Sequence, residues 1–177
     1  MLTGLPNRRF LQDRLDQALA LARRDGRRVA ILSLDLDGFK AVNDTYGHPF
    51  GDAMLEEVAR RLSSVVREFD TVGRWGGDEF VLVLKEIESR EVVELMVERV
   101  IASLSEPMNH RGQQLSVGVS VGIALFPDHG DEVEKVLLAA DLAMYESKAS
   151  GGNTWRFAST SAQEPRGKYR PALAPEA

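Results

Sequence analysis

The sequence predicts one domain of the α+β class, with a central, mostly antiparallel sheet flanked by helices in a ferredoxin-like arrangement. Two observations carry this prediction. Segments with apolar residues at helical spacing alternate with short apolar segments that are typical of strands. Two of these strands are joined through Gly76-Gly77, a pair that supplies the backbone freedom of a tight antiparallel hairpin. The order helix, strand, helix, helix, hairpin, helix, strand, helix, strand therefore disfavours a purely parallel, doubly wound sheet.

The size and composition are those of a globular domain. The chain has 177 residues, of which 44% are hydrophobic and 28% charged, enough for one core and too few for two ordinary domains. No apolar run approaches the ~20 residues of a membrane span, and the N-terminus has no secretory pattern. We expect a cytoplasmic domain, which leaves open that a parent protein is tethered to a membrane.

Cysteine usage and charge exclude several classes of function. The absence of cysteine excludes disulfides, cysteine zinc sites and thiol nucleophiles, so that carboxylates or histidines would have to hold a metal. With 22 basic and 27 acidic residues, the net charge of -5 has the wrong sign for attraction to nucleic acid. A small anionic ligand escorted by Mg²⁺ remains compatible with this charge.

The first helix is predicted for residues 9–24, where apolar residues recur every three to four positions and Asp25-Gly26 ends the pattern. The first strand, residues 29–35, is apolar almost throughout, as expected for a central strand covered on both faces. It runs into two carboxylates, Asp35 and Asp37. A buried strand that ends in carboxylates is typical of a functional site.

Two helices are predicted after Gly38. A short one covers residues 39–43, and the glycine-rich segment 47–51 is predicted as a turn. Asp52 is then placed to cap a longer helix whose apolar face extends over residues 55–66.

The hairpin follows, with strands at residues 72–75 and 80–84, and it places Asp78 and Glu79 at its tip. A further helix is predicted for residues 92–104, where the apolar positions again have helical spacing.

The last third of the domain contains a strand, a helix and a strand. Residues 115–123 alternate apolar with small or polar side chains, residues 133–148 have a helical apolar face, and residues 154–157 form a final strand. The composition of residues 158–177 predicts a disordered tail or linker. The folded domain is therefore expected to cover residues 1–157.

Three carboxylates are candidates for a metal site. If the hairpin lies beside the first strand, Asp35, Asp78 and Glu79 converge at one edge of the sheet. Mg²⁺ prefers oxygen ligands and is commonly held by one or two carboxylates together with substrate phosphates. The alternative is that these acids only occupy strand ends and turns, where acidic residues are common. The acidic pair directly after Gly-Gly, with a second strand that ends in acids, favours the metal site.

Residues 76–80 read Gly-Gly-Asp-Glu-Phe, the signature that names the GGDEF family of diguanylate cyclases. The segments 34–52, 2–8 and 140–145 resemble further motifs of the same family. The resemblance therefore spans about residues 1–157 in register, which is far more specific than a single pentapeptide. It implies a fold of nucleotide-cyclase type.

The resemblance also implies an activity and a metal. The family joins two GTP into cyclic di-GMP with release of two pyrophosphates, using Mg²⁺ or Mn²⁺. Asp35 and Asp78 resemble its metal carboxylates, and the Leu36 carbonyl resembles a further ligand. Glu79 resembles a residue that either binds the metal or activates the ribose 3'-hydroxyl.

Asn43 and Asp52 resemble the family's guanine-binding residues. An ionised carboxylate only accepts hydrogen bonds, so it matches the guanine N1-H and amino group and would oppose an acceptor on adenine. Such a mismatch of buried acceptors costs ~10⁴-fold or more in selectivity. Helix capping is the structural alternative for Asp52.

The phosphate contacts implied by the resemblance lie where the first strand turns into a helix. The backbone N-H groups of Gly38 and Phe39 resemble a phosphate cradle, and Lys40 and Lys148 resemble phosphate-side lysines, although surface lysine is the ordinary interpretation of both. The family usually has arginine at the position of Gly152. Gly152 removes a bidentate donor that would contribute ~1.5 to 3 kcal/mol, which predicts weaker GTP binding.

Arg67 and Asp70 resemble the family's Arg-x-x-Asp inhibitory site for cyclic di-GMP, and Arg99 resembles a second arginine of that site. A surface ion pair between residues three apart would explain the same pattern.

The resemblance implies a diguanylate cyclase that works as a transient homodimer, because each domain holds one GTP and the two must meet face to face. A catalytically silent domain that senses GTP or cyclic di-GMP is the first alternative; Gly152 favours it and the intact segment 76–80 opposes it. A cyclase that uses ATP is the second, and Asn43 and Asp52 disfavour it.

Overall fold

The computed structural model describes residues 2–110 and 112–159, and within them the chain forms five helices and seven strands. The predicted tail falls outside the described residues from position 160 onward. In chain order the elements are α1 (Arg8–Asp25), β1 (Arg28–Asp37), α2 (Phe39–Tyr46), α3 (His48–Val65), β2 (Thr71–Gly76), β3 (Glu79–Ile87), α4 (Arg90–Ser105), β4 (Met108–His110), β5 (Gln113–Leu115), β6 (Gly118–Phe126), α5 (Val133–Ala149) and β7 (Thr154–Phe157).

The main sheet has five strands in the order β2-β3-β1-β6-β7. Strands β2, β3, β1 and β6 pair antiparallel, and only β7 runs parallel to its neighbour β6. The predicted α+β class with a mostly antiparallel sheet is confirmed. The central position of β1, between β3 and β6, explains why its sequence is apolar almost throughout.

Helices cover both faces of the sheet. Because side chains alternate along a strand, Leu32 and Leu34 of β1 face the layer of α3 and α4, whereas Ile31 faces the layer of α1 and α5. The second layer approaches the sheet closely at Gly122 of β6, where a Cβ atom would collide with the backbone of α5 at Ala140 and Met144. This close packing brings α5 over the end of β1.

The predicted turn at residues 47–51 is wrong. Helix α3 begins at His48, directly after Gly47, whose φ of 85° and ψ of 160° make the whole turn. Pro49 lies in the first turn of the helix, where its missing N-H costs nothing. Asp52 consequently lies inside α3 and does not cap it.

The single strand predicted over residues 115–123 is also wrong in extent. Residues 113–115 form β5, which pairs with β4 in a separate two-stranded sheet, and β6 begins only at Gly118. The alternation of apolar residues continues across this break, so the pattern alone could not reveal it.

The other predicted helices and strands are present, with ends that shift by a few residues. The first helix ends as expected, since Gly26 adopts a left-handed conformation with φ of 65°. In the part of the chain that the structure describes, no helix is long and apolar enough to cross a membrane.

Candidate active site

The carboxylates predicted to converge do meet at one edge of the sheet. Asp35 near the end of β1 lies directly opposite Glu79 at the start of β3. The turn that precedes Glu79 is tied to β1, because the Leu36 N-H donates to the Asp78 carbonyl oxygen at 3.3 Å. Backbone pairing therefore holds the three acidic residues together, and their side chains need not contact one another.

The hairpin turn itself is fixed by Arg74. Its Nε and Nη2 atoms donate to the Gly77 carbonyl oxygen at 2.8 and 2.6 Å. Gly77 has a φ of 52°, a conformation that favours glycine. Asp78 lies in this turn and Glu79 is already part of β3, so the predicted tip position holds for Asp78 alone.

This edge carries more negative than positive charge. The Glu79 pKa is raised to about 7, first by burial and then by the charges of Asp141, Asp35 and Asp78. Burial likewise raises the pKa of Asp35, although Lys148 opposes the shift. The edge therefore favours an additional cation.

Lys148 is the cation that the structure places against Asp35. Its Nζ atom lies 2.6 Å from Asp35 Oδ1. Burial lowers the Lys148 pKa, but the hydrogen bond to Asp35 and the nearby acidic charges outweigh it and raise the pKa overall. The residue predicted to contact phosphate thus contacts a predicted metal carboxylate.

The donor set fits a hard divalent cation. Asp35, Asp78 and Glu79 offer carboxylate oxygens, Leu36 offers a carbonyl, and a lysine ammonium already lies against Asp35, the most buried of these three acids. Among the described residues, no group of three or more His, Cys, Asp or Glu side chains is arranged to hold a metal. Such a cation would consequently depend on substrate oxygens for part of its coordination.

Asp37 has a different role from Asp35, two residues before it. Its Oδ1 atom accepts from the Ser120 hydroxyl at 2.7 Å, and its Oδ2 atom accepts from the Asn153 N-H at 2.6 Å. It thereby ties the turn between α5 and β7 to β1 and β6. Gly152 packs on the same carboxylate: a Cβ atom there would lie 2.8 Å from Asp37 Oδ2. The position where the family usually has arginine therefore directly borders the acidic edge.

The segment predicted to bind phosphate is the N-terminus of α2. Gly38 precedes the helix with a φ of 75°, and Phe39 at its first position is buried. The first N-H groups of a helix lack partners within the helix, so they are free to meet an anion. Lys40 is exposed beside them.

The two predicted guanine-binding residues are neighbours. Asn43 of α2 lies over Gly51 of α3, where a Cβ atom would collide with the Asn43 amide oxygen. Asp52 is the next residue and is exposed. An amide and a carboxylate therefore lie side by side where α2 packs on α3, and the capping alternative for Asp52 does not apply.

Arg67 and Asp70 line a cleft of about 620 Å³ between α1 and the turn from α3 to β2. Asp70 accepts from the backbone N-H of Arg67 at 3.2 Å and of Lys85 at 3.0 Å. Within the described residues the two side chains form no ion pair, so that alternative explanation of the pattern fails. Arg99 lies on the exposed side of α4 and does not line this cleft.

Asp141 is a residue of this region to which the sequence assigned no role. It lies on α5, has no exposed surface, and is the charge that most raises the Glu79 pKa. One feature of the sequence could have identified Asp141: it is an acidic residue between Ala140 and Met144, on the apolar face of a predicted helix.

Comparison with protein families gives one match that covers most of the chain. The model described as "Diguanylate cyclase, GGDEF domain" matches residues 1–154. The chain is 46% identical, over 156 residues, to the bifunctional diguanylate cyclase/cyclic di-GMP phosphodiesterase MucR of Pseudomonas aeruginosa, covering 88% of this chain and 23% of MucR. It is 39% identical to the diguanylate cyclase TpbB of the same organism, covering 89% and 36%. It is also 41% identical to the cyclic di-GMP phosphodiesterase PdeR of Escherichia coli, covering 85% and 22%.

The chain thus spans about a fifth to a third of the length of these curated relatives. Two solved structures are similar over nearly their whole length. The GGDEF domain of YfiN (TpbB) from Pseudomonas aeruginosa superposes with a TM-score of 0.87 at 38% identity, covering 89% of this chain and 98% of that domain. The GGDEF domain of DgcB from Caulobacter crescentus, solved in complex with c-di-GMP, gives 0.81 at 32% identity, covering 90% and 94%.

Proposed function

The chain belongs to the GGDEF domain family of diguanylate cyclases, and from that membership we propose that it condenses two GTP into cyclic di-GMP with release of two pyrophosphates. Membership alone does not decide this, because some relatives bear phosphodiesterase names. The observation that supports synthesis is the edge where Asp35 faces Glu79 and the turn holds Asp78 beside Leu36. The edge has the acidic oxygens and the excess negative charge that a metal-dependent phosphoryl transfer requires.

Asp35, Asp78, Glu79 and the Leu36 carbonyl would hold Mg²⁺ or Mn²⁺. When bound, the ion lowers the pKa of a ribose 3'-hydroxyl and neutralises charge on the α-phosphate. As the alternative to holding the ion, the Glu79 carboxylate would accept the proton that this hydroxyl loses on attack. Metal binding and proton acceptance would both use the same Glu79 carboxylate.

The chain's own residues position the nucleotide. The N-H groups of Gly38 and Phe39 at the start of α2, together with Lys40, would contact the phosphates. Lys148, which lies against Asp35, would contact a phosphate oxygen of the nucleotide. Each of these contacts orients the α-phosphate for in-line displacement of pyrophosphate.

Asn43 and Asp52 would select guanine. The Asp52 carboxylate accepts from the N1-H and amino groups of guanine, whereas adenine presents an acceptor at N1. The Asn43 amide supplies both a donor and an acceptor beside it. This pair supports GTP over ATP.

Two copies are needed for turnover, because one domain of this size offers one acidic edge and the product contains two nucleotides. Each copy would present its GTP to the other, so that each 3'-hydroxyl attacks the partner's α-phosphate. The active unit is a transient homodimer.

Cyclic di-GMP would also inhibit the enzyme by binding at Arg67 and Asp70. The cleft that these residues line supports such a site, whereas Arg99 lies outside it. Arg67→Ala should relieve the inhibition, measured as the ratio of initial rates with and without micromolar cyclic di-GMP. Inhibition that is indifferent to this substitution would contradict the assignment.

Product analysis with radiolabelled GTP and Mg²⁺ tests the proposed activity. Formation of cyclic di-GMP supports it. The second candidate is a catalytically silent domain, favoured by Gly152 in place of an arginine, and it predicts nucleotide binding without product. Product formed from labelled ATP would instead overturn the guanine assignment.

A further inference from the structure

The cleft beside Arg67 has a second wall, which α1 supplies. Phe10 and Arg14 of α1 line it, opposite Arg67 and Phe69 from the turn between α3 and β2. Its volume of about 620 Å³ is in the range of small-molecule sites, ~300–1,000 Å³. None of the three acidic residues of the candidate metal site lines it, so the cleft is separate from that site.

Both walls present an exposed aromatic ring. Phe10 is 44% exposed and Phe69 is 47% exposed, unusually high values for phenylalanine. An arginine lies over each ring: the guanidinium of Arg14 is 4.8 Å from the Phe10 centroid, and that of Arg67 is 5.7 Å from the Phe69 centroid. The two walls therefore repeat the same pair of groups, a flat apolar ring and a planar cation.

The charged groups of the cleft favour an anion. Within the described residues, the side chains of Arg14, Arg67 and Lys85 form no ion pair. Both carboxylate oxygens of Asp70 already accept backbone N-H groups, which leaves Glu68 as the other acid in the lining. A ligand that combines flat bases with phosphates matches this set of groups, because bases stack on aromatic rings and arginine binds phosphate in a bidentate manner.

We propose that Phe10 and Arg14 form a second wall of the product-binding cleft, in which a guanine of cyclic di-GMP stacks on Phe10 and a phosphate pairs with Arg14. This inference rests on the proposed product inhibition through Arg67. It adds the first helix to a site that the sequence motif places only around residues 67–70. It also gives a place in the cleft to residues that the sequence analysis did not single out.

Calorimetric titration of the full 177-residue chain with cyclic di-GMP, alongside the inhibition constant from initial rates, tests this proposal. Phe10→Ala should weaken binding about tenfold, since stacking of one base contributes on the order of 5- to 150-fold. Arg14→Met, which keeps the apolar stem, should weaken it by a similar factor. Leu21→Ala and Arg24→Met alter an exposed apolar residue and an exposed arginine of the same helix away from the cleft, and should leave binding unchanged.

The outcomes separate the two proposals. Thermal denaturation first checks that the Phe10 and Arg14 variants are folded. If these folded variants bind like the parent chain while Arg67→Ala weakens binding, the second wall is overturned and product inhibition stands. If the parent chain shows neither binding nor inhibition, the product-inhibition proposal falls, and the second wall with it. Weakening by the two control variants would show a general effect of α1 and would equally overturn the second wall.

Discussion

Glu79 is a residue of the proposed metal site whose burial opposes stability. Burial and three neighbouring acids raise its pKa to about 7 from an ordinary value of 4.5. Between these two pH values the folded chain keeps a proton that the unfolded chain loses. The free energy of unfolding therefore falls as the pH rises from about 4.5 to 7, and the full penalty is present above pH 7.

Glu79→Gln should consequently stabilise the metal-free chain at pH 8 and not at pH 4.5, because glutamine carries no charge to bury. Since Glu79 is only half-buried, solvent screening limits the gain to about 1 to 2 kcal/mol. The same variant should lose cyclic di-GMP synthesis, since it lacks the carboxylate. Thermal denaturation at both pH values and a product assay measure the two effects. Glu98→Gln, on the exposed side of α4, is the control, and a stabilisation independent of pH would contradict the explanation.

Asp78→Ala tests the metal assignment without altering the buried part of the edge. Asp78 lies in the hairpin turn and is only half-buried, so circular dichroism should show an intact fold. Activity should fall by at least about 100-fold, more than the loss expected from a residue behind the ligands. Asp13→Ala, an exposed acid on α1, should retain the parent rate. Near-parental turnover of Asp78→Ala would remove Asp78 from the site.

At the scale of elements, Arg61 joins α3 to the end of α4. It is buried, and its guanidinium donates to the carbonyl oxygens of Ser103 at 2.7 Å, Glu106 at 2.6 Å and Pro107 at 3.1 Å. Its Nε atom donates to Glu57 Oε1 at 2.7 Å. One side chain therefore satisfies carbonyls that a helix end leaves without internal partners.

Arg61→Met should lower the free energy of unfolding by about 2 to 4 kcal/mol, because it leaves these buried carbonyl oxygens unpaired. Arg60→Met is a matched control: Arg60 binds the same Glu57 at 2.6 Å, but its side chain is 66% exposed. An exposed ion pair contributes at most about 1 kcal/mol. Urea denaturation measures both variants, and equal losses would show that capping of α4 is not the cause.

The elements that could be predicted from the sequence are those with a local pattern. The apolar faces of α1 and α5, the central β1 and the hairpin that turns at Gly77 each have one, and all are present. The start of α3 was missed because Gly47 alone makes the turn, while Pro49 and Gly51 after it suggested a longer one. The β4–β5 hairpin was missed because its strands are three residues each and Leu115, at the end of β5, continues the alternation of β6.

The candidate site shows the same limit. Motif positions identified Asp35, Asp78 and Glu79, and pairing of β1 with β3 explains their proximity. The contact between Lys148 and Asp35, 113 positions apart, depends on how α5 packs over Gly122. Such long-range packing leaves no local signal in the sequence.

At the scale of the whole molecule, the acidic edge, the start of α2 and the Asn43–Asp52 pair all come from β1, the segment after it and the hairpin beside it. In the proposed mechanism one copy of this arrangement would bind one nucleotide, whereas cyclic di-GMP contains two. The proposed mechanism is therefore incomplete in a single chain, and this has a consequence for the kinetics.

Specific activity should rise with protein concentration, because two chains must meet before two GTP molecules can react. A symmetric pair held mainly through its substrates buries little surface of its own, and interfaces below ~1,200 Å² are typically transient. Initial rates over a hundredfold dilution, with the oligomeric state followed by sedimentation, measure the effect. Fusion to a dimeric coiled coil should raise the rate at low concentration, since it increases the effective concentration of one domain for the other. The two-chain mechanism would be contradicted by a constant specific activity in a sample that sedimentation shows to be monomeric. A fusion that dimerises without raising the rate would point to an interface that the coiled coil cannot align.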